Sequence, residues 1–453
     1  MTTKRTMARA TAALTSLAAG LAGAVALSAA PAQAAVRPSD YGFQTLAYAT
    51  RVQGDGPGVQ SGRTAFSWLE CTRLTGLNPS NTRSAHEDIA GIDLPADNPQ
   101  VQVGAAESTS RTYRKDGDVG TVSTNKIAKV VLGGAAAKIT ITGLTTEARA
   151  WADKSGKLRS SAIAHGGVSL QGATGNPQLD AALAQVSNPL SDLLSNIPLD
   201  GQSIPGLGTI YVAHTYHGVH KTYANSNATV LRIVLEGADT TVTVGRSWAR
   251  INRDMPAGVF QGSGYGIDIP KVAGGVAHVG RLANQPVGCQ GTQGKVREND
   301  LAGFDPGHTG QLVVGAISGQ AWGVQKRTGY AKAWTQGRIA KLVLGPLTVE
   351  GVVGKATVTQ TSSGKIRKSA TFSIGRLLQD GKEQGAIPDP GQDIIVGDGN
   401  GHDLAKLRFG VKTQTKRAIQ ITALRIELLE GVDGAPIGTV IRLGNARTAI
   451  KRY

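Results

Sequence analysis

Two segments of the chain occur twice, and this repetition constrains the fold more than any other feature of the sequence. The stretch KIAKVVLGG at 126–134 returns as RIAKLVLGP at 338–346, and SGKLRSSA at 155–162 returns as SGKIRKSA at 363–370. The matches keep their order along the chain. Self-similarity at a long period is the signature of a repeated structural unit. The sequence therefore predicts two copies of one domain.

The spacing of the matches sets the predicted domain boundaries. The first copy extends over 35–256 and the second over 265–453, with Tyr41 near the start of the first aligned with Tyr265. Glycines and a proline cluster between the copies, and such clusters commonly separate structural units. We therefore predict a linker at 257–264.

Alternation of apolar and polar residues predicts strands in both copies. The runs KITIT at 138–142 and TVTV at 241–244 have a period of two, and polar turn signals such as DKSG at 153–156 separate such runs. We therefore predict a mainly β fold. It consists of two duplicated antiparallel domains, each a β-sandwich or barrel-like, packed as a pseudo-symmetric pair.

A short helical insertion is predicted in the first copy, at about 177–198. Its apolar residues are spaced by three or four, which places them on one helical face; they are Leu179, Leu183, Val186, Leu190 and Leu194. A helix packed over the open end of a sheet fits this pattern. A surface that faces a partner or lipid is the alternative.

The two cysteines, Cys71 and Cys289, occupy matching places in the two copies. A Gly-Arg dipeptide begins nine residues before each of them. In an exported chain the only two thiols are expected to oxidise to a disulfide. A bond between equivalent residues lies near a two-fold axis, which favours the pseudo-symmetric pair. Two free, buried thiols are the alternative.

The N-terminal residues 1–34 have the features of a secretory signal peptide. Lys4, Arg5 and Arg9 precede an apolar run over about 10–30, and small residues surround a predicted cleavage between Ala34 and Ala35. No later apolar run reaches the length of a membrane span. We therefore predict a protein that is secreted, extracellular or loosely associated with the cell wall, with no transmembrane segment after cleavage.

The chain is basic, and this limits its predicted partners. Lys plus Arg outnumber Asp plus Glu by 48 to 32, for a formal charge of +16. The signal peptide holds three of these cations and no acid, so the exported chain carries +13. Dispersed cations attract polyanions through screened interactions. An anionic cell-wall polymer or another surface protein is the expected partner, whereas nucleic acid is not expected outside the cell.

Two groups of residues have the chemistry of metal ligands. Imidazole nitrogens bind zinc well, but on a strand the spacing of His214, His217 and His220 directs the middle one to the opposite face. Oxygen ligands in a glycine-rich loop suit calcium, and the loop VGDGNGHD holds Asp398, Asn400 and Asp403. A tight turn is the alternative for this loop. Calcium is the one cofactor that the sequence suggests, and the sequence requires none.

No catalytic motif stands out in the sequence. There is no G-x-S-x-G elbow, no phosphate-binding loop and no convincing Ser-His-Asp arrangement. We therefore predict a non-enzymatic β-protein with a structural or binding role and no catalytic residue. A secreted hydrolase with an unrecognised active site and a carbohydrate-binding module are the alternatives.

The Ala- and Gly-rich signal segment, the repeated KIAKVVLG and RIAKLVLG strands and the paired cysteines carry a resemblance. The chain resembles the uncharacterised, exported choice-of-anchor-type surface proteins of high-GC Gram-positive bacteria. The resemblance implies exposure at the cell surface and no catalytic residue.

Overall fold

Every described range of the chain contains a strand, which confirms the prediction of a mainly β fold. The computed structural model describes residues 35–54, 63–83, 100–133, 137–172, 201–204, 208–235, 240–268, 281–303, 311–398, 401–432 and 436–452. They belong to one compact unit, Ala34–Tyr453. In the strand Leu347–Gln360 every second side chain is buried, except beside Gly351, where the alternation changes phase at a backbone φ of 65°.

The first half of the chain builds two antiparallel sheets, A and B. Their strands are β1 (Arg37–Gly54), β2 (Ser67–Thr75), β3 (Ser80–Arg83), β4 (Gln100–Val103), β5 (Ala106–Lys115), β6 (Asp118–Gly133), β7 (Ala137–Ala152), β8 (Leu158–Gly172), β9 (Gln202–Ile204), β10 (Gly208–Val219), β11 (Tyr223–Leu235) and β12 (Thr240–Asn252). Sheet A has the order β2-β1-β12-β11-β10-β9, and sheet B has the order β3-β5-β6-β7-β8 with β4 beside β6. The sheets pack face to face around Phe43, Leu158 and Ile251.

The second half builds sheets C and D. Their strands are β13 (Val259–Asp268), β14 (Arg281–Leu282), β15 (Gln285–Pro286), β16 (Arg297–Leu301), β17 (Leu312–Val314), β18 (Ile317–Gln325), β19 (Ala331–Leu344), β20 (Leu347–Gln360), β21 (Ile366–Ser373), β22 (Arg376–Gln379), β23 (Lys382–Glu383), β24 (Asp393–Gly397), β25 (Asp403–Gln414), β26 (Ala418–Leu428) and β27 (Val440–Lys451). Sheet C has the order β14-β13-β27-β26-β25-β24, with β15 beside β13. Sheet D has the order β16-β18-β19-β20-β22-β23, with β17 beside β19 and β21 beside β20. Their shared core holds Leu342, Val349 and Phe409, all fully buried.

All four sheets are open within the described ranges. Each order begins and ends on a different strand, so none of these sheets closes into a barrel. Of the two architectures that the alternating pattern allows, the face-to-face packing therefore corresponds to sandwiches. The pattern alone could not decide this, because it specifies which face of a strand is buried and not how a sheet ends.

Sheets C and D approach closely where both carry glycine. Gly354 on β20 faces the carbonyl of Gly444 on β27, and Gly337 on β19 faces the carbonyl of Tyr265 on β13. A Cβ at Gly354 or Gly337 would lie less than 3.0 Å from these oxygens. Packed sheets are normally about 10 Å apart because side chains fill the space between them. Glycine therefore serves sheet packing in this protein as well as turns.

Polar side chains fill the centre of the first sandwich instead. The hydroxyls of Thr146 and Ser247 are 2.7 Å apart across the two sheets, and both residues are fully buried. On sheet B, Asn125 Nδ2 donates to Ser108 Oγ at 2.8 Å. Because these groups are paired, their burial carries little desolvation cost.

A disulfide joins the two halves of the chain. The predicted bond between Cys71 and Cys289 is confirmed, with Cα atoms 5.4 Å apart across a sequence separation of 218 residues. It is buried against Met255. Nearby, Arg447 Nη1 on β27 lies 3.0 and 2.8 Å from the two carboxylate oxygens of Glu70 on β2. Covalent and ionic contacts therefore connect sheets A and C.

The segment 257–264, which the sequence predicts as a linker, lies mostly inside β13. Every residue of this strand is buried. Gly258 and Gly262 have φ values of 107° and 121°, and their Cα atoms lie against the backbone of β27. The glycines that indicate flexibility in the sequence are instead required for this close approach.

Two sequence predictions fall on residues that the structure does not describe. The signal peptide, 1–34, and the helical insertion, 177–198, lie outside the described residues, which begin at Ala35. In the described ranges, no helix has the length and apolar character that crossing a bilayer requires.

Asp153 organises the turn between β7 and β8. Its Oδ1 accepts hydrogen bonds from the hydroxyl of Ser155 at 2.6 Å and from the backbone N–H groups of Ser155 and Lys157, both at 3.0 Å. Its Oδ2 pairs with Arg159 Nε at 3.2 Å. These contacts, the Ser155 hydroxyl first, lower the pKa of Asp153 from 3.8 to about 2.

We expect an NMR titration to find Asp153 half-protonated near pH 2. The folded-state pKa is below the unfolded value, so the contribution of the carboxylate to stability is complete above about pH 4 and is lost as the pH falls through about 2. Asp153→Asn should remove this part of the pH dependence of unfolding. Titration of Asp153 near its unperturbed value would contradict the turn geometry.

Candidate functional site

A pair of tryptophans lies on the outer face of sheet D. Trp322 on β18 is directly opposite Trp334 on β19, with ring centroids 6.5 Å apart and ring planes 12° apart. The neighbouring Ala321 and Ala333 are fully buried in the core, so the period of the strands directs both indoles outward. Trp322 Nε1 donates to the carbonyl of Gly294 at 2.8 Å, which holds that ring in place.

Cations surround the tryptophan pair. Lys355 Nζ on β20 lies 4.3 Å from the centroid of the Trp334 ring, a cation–π contact. Lys332 occupies the next outward position on β19 and pairs with Thr359 on β20. Thr359 in turn pairs with Arg367 on β21, so Arg367 lies on the same face. We name these residues the tryptophan–lysine face: Trp322, Lys332, Trp334, Lys355 and Arg367.

The charges of this face are not neutralised within the described part of the chain. Lys332, Lys355 and Arg367 form no ion pair with any described carboxylate. A carboxylate on the same side, Glu298, lies on β16 at the sheet edge and accepts a hydrogen bond from Gln320 at 2.9 Å. The face therefore offers positive charge beside flat apolar rings.

Such an arrangement suits an anionic polymer that contains rings. Ammonium and guanidinium groups attract carboxylates and phosphates. Indole rings provide large, rigid apolar surfaces against which a sugar ring can pack. The two features together favour polyanions that carry sugars over simple salts.

Sheet B has an aromatic cluster on its outer face, but its cation is already partnered. Arg149 Cζ lies 4.4 Å from the ring centroid of Trp151 and 5.0 Å from that of Tyr113. Its Nε donates to the Tyr113 hydroxyl at 2.6 Å, and its guanidinium pairs with Asp118 at 3.7 Å. Burial raises the pKa of Tyr113. Because these groups satisfy one another, this cluster is a weaker candidate.

The three histidines predicted as ligands are exposed on or next to β10 and do not converge. His214 pairs in the ladder with Thr229, and His217 has the opposite orientation along the strand. His220 instead stacks on Tyr223, with ring centroids 4.3 Å apart. Within the described residues these histidines form no three-ligand group.

The structure places Asp398 of the predicted calcium loop beside two residues that the sequence does not predict as ligands. Asp398 lies with His402 and Glu430, whose ligand atoms are all within 4.8 Å of one another. Asp398 Oδ1 accepts from the backbone N of His402 at 3.0 Å, and Oδ2 lies 3.2 Å from its Nδ1. Asp403 begins β25, while Asn400 lies outside the described residues.

This donor set differs from the usual calcium site. Calcium takes six to eight oxygen ligands, whereas an imidazole with two carboxylates suits zinc-like cations better. His402 and Glu430 are exposed, and such exposed groups are common without an ion. The grouping of Asp398 with Glu430 arises because β24–β25 and the end of β26 meet, which no local motif reveals.

Sequence reasoning missed the tryptophan–lysine face, although one signal was present. Trp322 and Trp334 are each six residues from Thr328, within the sequence WGVQKRTGYAKAW. A hairpin centred on this turn necessarily brings them opposite each other. The turn is closed by a hydrogen bond from Lys326 N to the carbonyl of Tyr330 at 2.8 Å.

Comparison with protein-family models, with curated proteins and with solved structures found no match for this chain. The resemblance to choice-of-anchor-type proteins therefore stays an expectation drawn from the sequence.

Proposed function

We propose that this chain is a non-enzymatic β-protein, exported from the cell, that binds an anionic cell-wall polymer. The observation that carries the proposal is the tryptophan–lysine face, where cations without a described carboxylate partner adjoin two outward-facing indoles. The formal charge of +13 on the exported chain acts in the same direction. Long-range attraction would concentrate the protein at a polyanion, and the rings would add short-range contacts.

An extracellular location agrees with the covalent structure. Disulfides persist in oxidising compartments and are rare in the cytosol. The Cys71–Cys289 bond and the signal-like segment 1–34 therefore support secretion or loose association with the wall.

The proposal predicts binding to purified cell walls that salt reverses. The variant Lys332→Gln/Lys355→Gln should bind about tenfold more weakly at low ionic strength, because it removes two cations from the face. Trp334→Ala should weaken binding without reducing its dependence on salt. Sedimentation of protein with walls over a salt series measures both effects.

A matched variant controls for the loss of charge. Lys412→Gln/Lys416→Gln also removes two cations, from exposed positions at and beyond the end of β25 in sheet C. It should bind walls nearly as well as the unmodified chain. Equal weakening by both double variants would mean that net charge acts without this face, and no sedimentation at low salt would contradict polyanion binding itself.

A carbohydrate-binding module is a second candidate, because the tryptophan pair also suits neutral sugar rings. It makes a different prediction, namely retention on neutral polysaccharide that is insensitive to salt and is lost in Trp334→Ala. No comparable observation supports the hydrolase alternative, for which the exposed Asp398, His402 and Glu430 would be the first residues to substitute.

We further propose that the two sandwiches arose by internal duplication. Two similarities support this. The order β2-β1-β12-β11-β10 of sheet A parallels β14-β13-β27-β26-β25 of sheet C, and β5-β6-β7-β8 parallels β18-β19-β20-β21. The repeated segment also has a matching hydrogen bond, from Ala128 N to the carbonyl of Ala105 and from Ala340 N to that of Ala316.

A skipped pair recurs at matching places in the β6–β7 and β19–β20 ladders as well. Gly143 and Gly351 have φ values of 61° and 65° at the ladder irregularity that follows the repeated segment. Superposition of an experimental structure of each half should place sheet A on sheet C and sheet B on sheet D. In such a pair Cys71 and Cys289 are equivalent, so their bond would lie near a pseudo-two-fold axis.

A further inference from the structure

Three arginines surround a buried tyrosine on sheet A. Arg63 Cζ lies 5.5 Å from the ring centroid of Tyr48 and 5.0 Å from that of Phe66. Arg246 is directly opposite Tyr48 on β12, and Arg51 lies three residues further along β1. The guanidinium groups are close enough to affect one another. Burial first, and then the charge of Arg51, lowers the pKa of Arg63 to about 10.

The described part of the chain supplies no anion for this cluster. None of Arg51, Arg63 and Arg246 forms an ion pair with a described carboxylate. Arg246 Nε donates to the neutral Asn227 Oδ1 at 2.9 Å. Like charges that are partly removed from water and unpaired are costly, so such groups normally have a counter-charge.

The hydroxyl of Tyr48 is a second, independent indication of a ligand. Tyr48 is 1% exposed, and no described group accepts a hydrogen bond from its hydroxyl, which Arg51 approaches as a donor. The interaction with Tyr48 raises the pKa of Arg51 and partly offsets the effect of burial, so this hydroxyl faces that guanidinium. A buried hydroxyl proton without an acceptor costs free energy, which an oxyanion bound between the arginines would recover.

The second sandwich contains the corresponding site. In the ladder between β13 and β27, Tyr265 pairs with Asn445 and the next pair, at Gly444, is skipped. In the ladder between β1 and β12, Tyr48 pairs with Arg246 and the next pair, at Gly245, is skipped. Arg281 Cζ lies 4.9 Å from the ring centroid of Tyr265. The ladder thus aligns Tyr265 with Tyr48 rather than with Tyr41, the residue that sequence comparison selects.

The two sites differ in one decisive residue. Three positions after Tyr265 the chain has Asp268, where the first sandwich has Arg51. Asp268 is 8% exposed and accepts a hydrogen bond from Arg442 Nη1 at 3.2 Å. The second site therefore contains its own carboxylate beside the arginines, whereas the first has an additional cation at that position.

We propose that Tyr48, Arg51, Arg63 and Arg246 form a binding site for an oxyanion, a carboxylate or phosphate group that a ligand supplies. Guanidinium groups match the two or three oxygens of such a group, and the tyrosine hydroxyl donates to one of them. The bound group takes the place that the Asp268 carboxylate holds in the second sandwich. This site is on sheet A, and its test does not depend on the tryptophan–lysine face of sheet D.

Thermal unfolding of the full exported chain in inorganic phosphate, acetate or chloride at equal ionic strength tests the proposal. Phosphate, acetate or both should raise Tm by about 3 °C or more relative to chloride, because a ligand of the folded state stabilises it. A response to phosphate alone or to acetate alone identifies the preferred group. Equal Tm values in all three salts would overturn the proposal.

Arg51→Asp is the decisive variant, because it installs the carboxylate that the second sandwich already uses. It should remain folded, have a higher Tm in chloride than the unmodified chain, and bind the oxyanion about tenfold more weakly. Arg111→Asp, an exposed position on β5, makes the same change of charge elsewhere and should retain the response. If Arg51→Asp responds to phosphate and acetate as strongly as Arg111→Asp, the site is not the one proposed.

One internal source of the anion also has to be tested. Asp55 is the only carboxylate between Arg51 and Arg63 in the sequence, and it lies outside the described residues. If the unmodified chain shows no oxyanion response but Asp55→Asn does, the chain itself neutralises the arginines and an external ligand is ruled out. Similar responses from both proteins would support the proposal.

Discussion

Gly354→Ala and Gly337→Ala should each destabilise the protein by about 3 kcal/mol or more, because neither site has room for a methyl group. The added Cβ would lie less than 3.0 Å from the carbonyl oxygen of Gly444 in the first variant and of Tyr265 in the second. Both oxygens are backbone atoms of the facing sheet, so rotation of a side chain cannot relieve the clash. Either sheets C and D separate or the strand distorts, and both outcomes reduce burial in the core that these two sheets share.

Chemical denaturation measures this loss, and the chain contains a matched control. Gly385 also lacks a left-handed φ, and a Cβ there would meet nothing within 4 Å. Gly385→Ala should therefore leave the free energy of unfolding within about 0.5 kcal/mol of the original. If Gly354→Ala were as stable as Gly385→Ala, the close approach of sheets C and D would be incorrect.

Replacing both cysteines by alanine should reduce stability by about 5 kcal/mol. The Cys71–Cys289 bond closes a sequence separation of 218 residues. On the chain-entropy model, its removal increases the conformational entropy of the unfolded chain and so lowers the free energy of unfolding by that amount. Alanine is preferred to serine because both side chains are buried in an apolar cluster with Met255. The midpoint of urea unfolding should fall accordingly, with a small increase in the slope.

A reducing agent provides the internal control for this experiment. It should destabilise the unmodified chain and leave Cys71→Ala/Cys289→Ala unchanged, so that the two proteins become similar in stability when reduced. Mass spectrometry of peptides that have not been reduced should find the Cys71 and Cys289 segments linked. Two alkylatable thiols in the native protein would show that the bond does not form.

The two substitutions test different parts of the same architecture. The glycines act inside the second sandwich, where sheets C and D share a core. The disulfide acts between the halves, together with the Arg447–Glu70 ion pair. Since Gly354 and Cys71 have no partner in common, their effects on the free energy of unfolding should be nearly additive.

The strands could be predicted from the sequence because the signal for them is local. In β20, alternate residues such as Leu347 and Val349 are buried while Thr348 is not, and a period of two is visible in any short window. The pairing of Cys71 with Cys289 could be predicted because a chain with two thiols has one possible intramolecular disulfide.

The glycines of the predicted linker show where reasoning from the local sequence fails. Gly258 and Gly262 have the composition of a linker, yet they lie at and inside a buried strand beside β27. A glycine allows both flexibility and close packing, and only a second strand at the right place distinguishes these possibilities. That strand is more than 180 residues away in the chain.

The sites depended even more on tertiary structure. Trp322 and Trp334 form a pair because a hairpin aligns them, and Lys355 joins them from a third strand. The difference between Arg51 and Asp268 becomes meaningful only when the ladders align their two environments. The sequence by itself determined the strand content and the disulfide, because these follow from short-range pattern and composition. Only the tertiary structure decided which charges have partners, because that depends on distances between atoms of residues far apart in the chain.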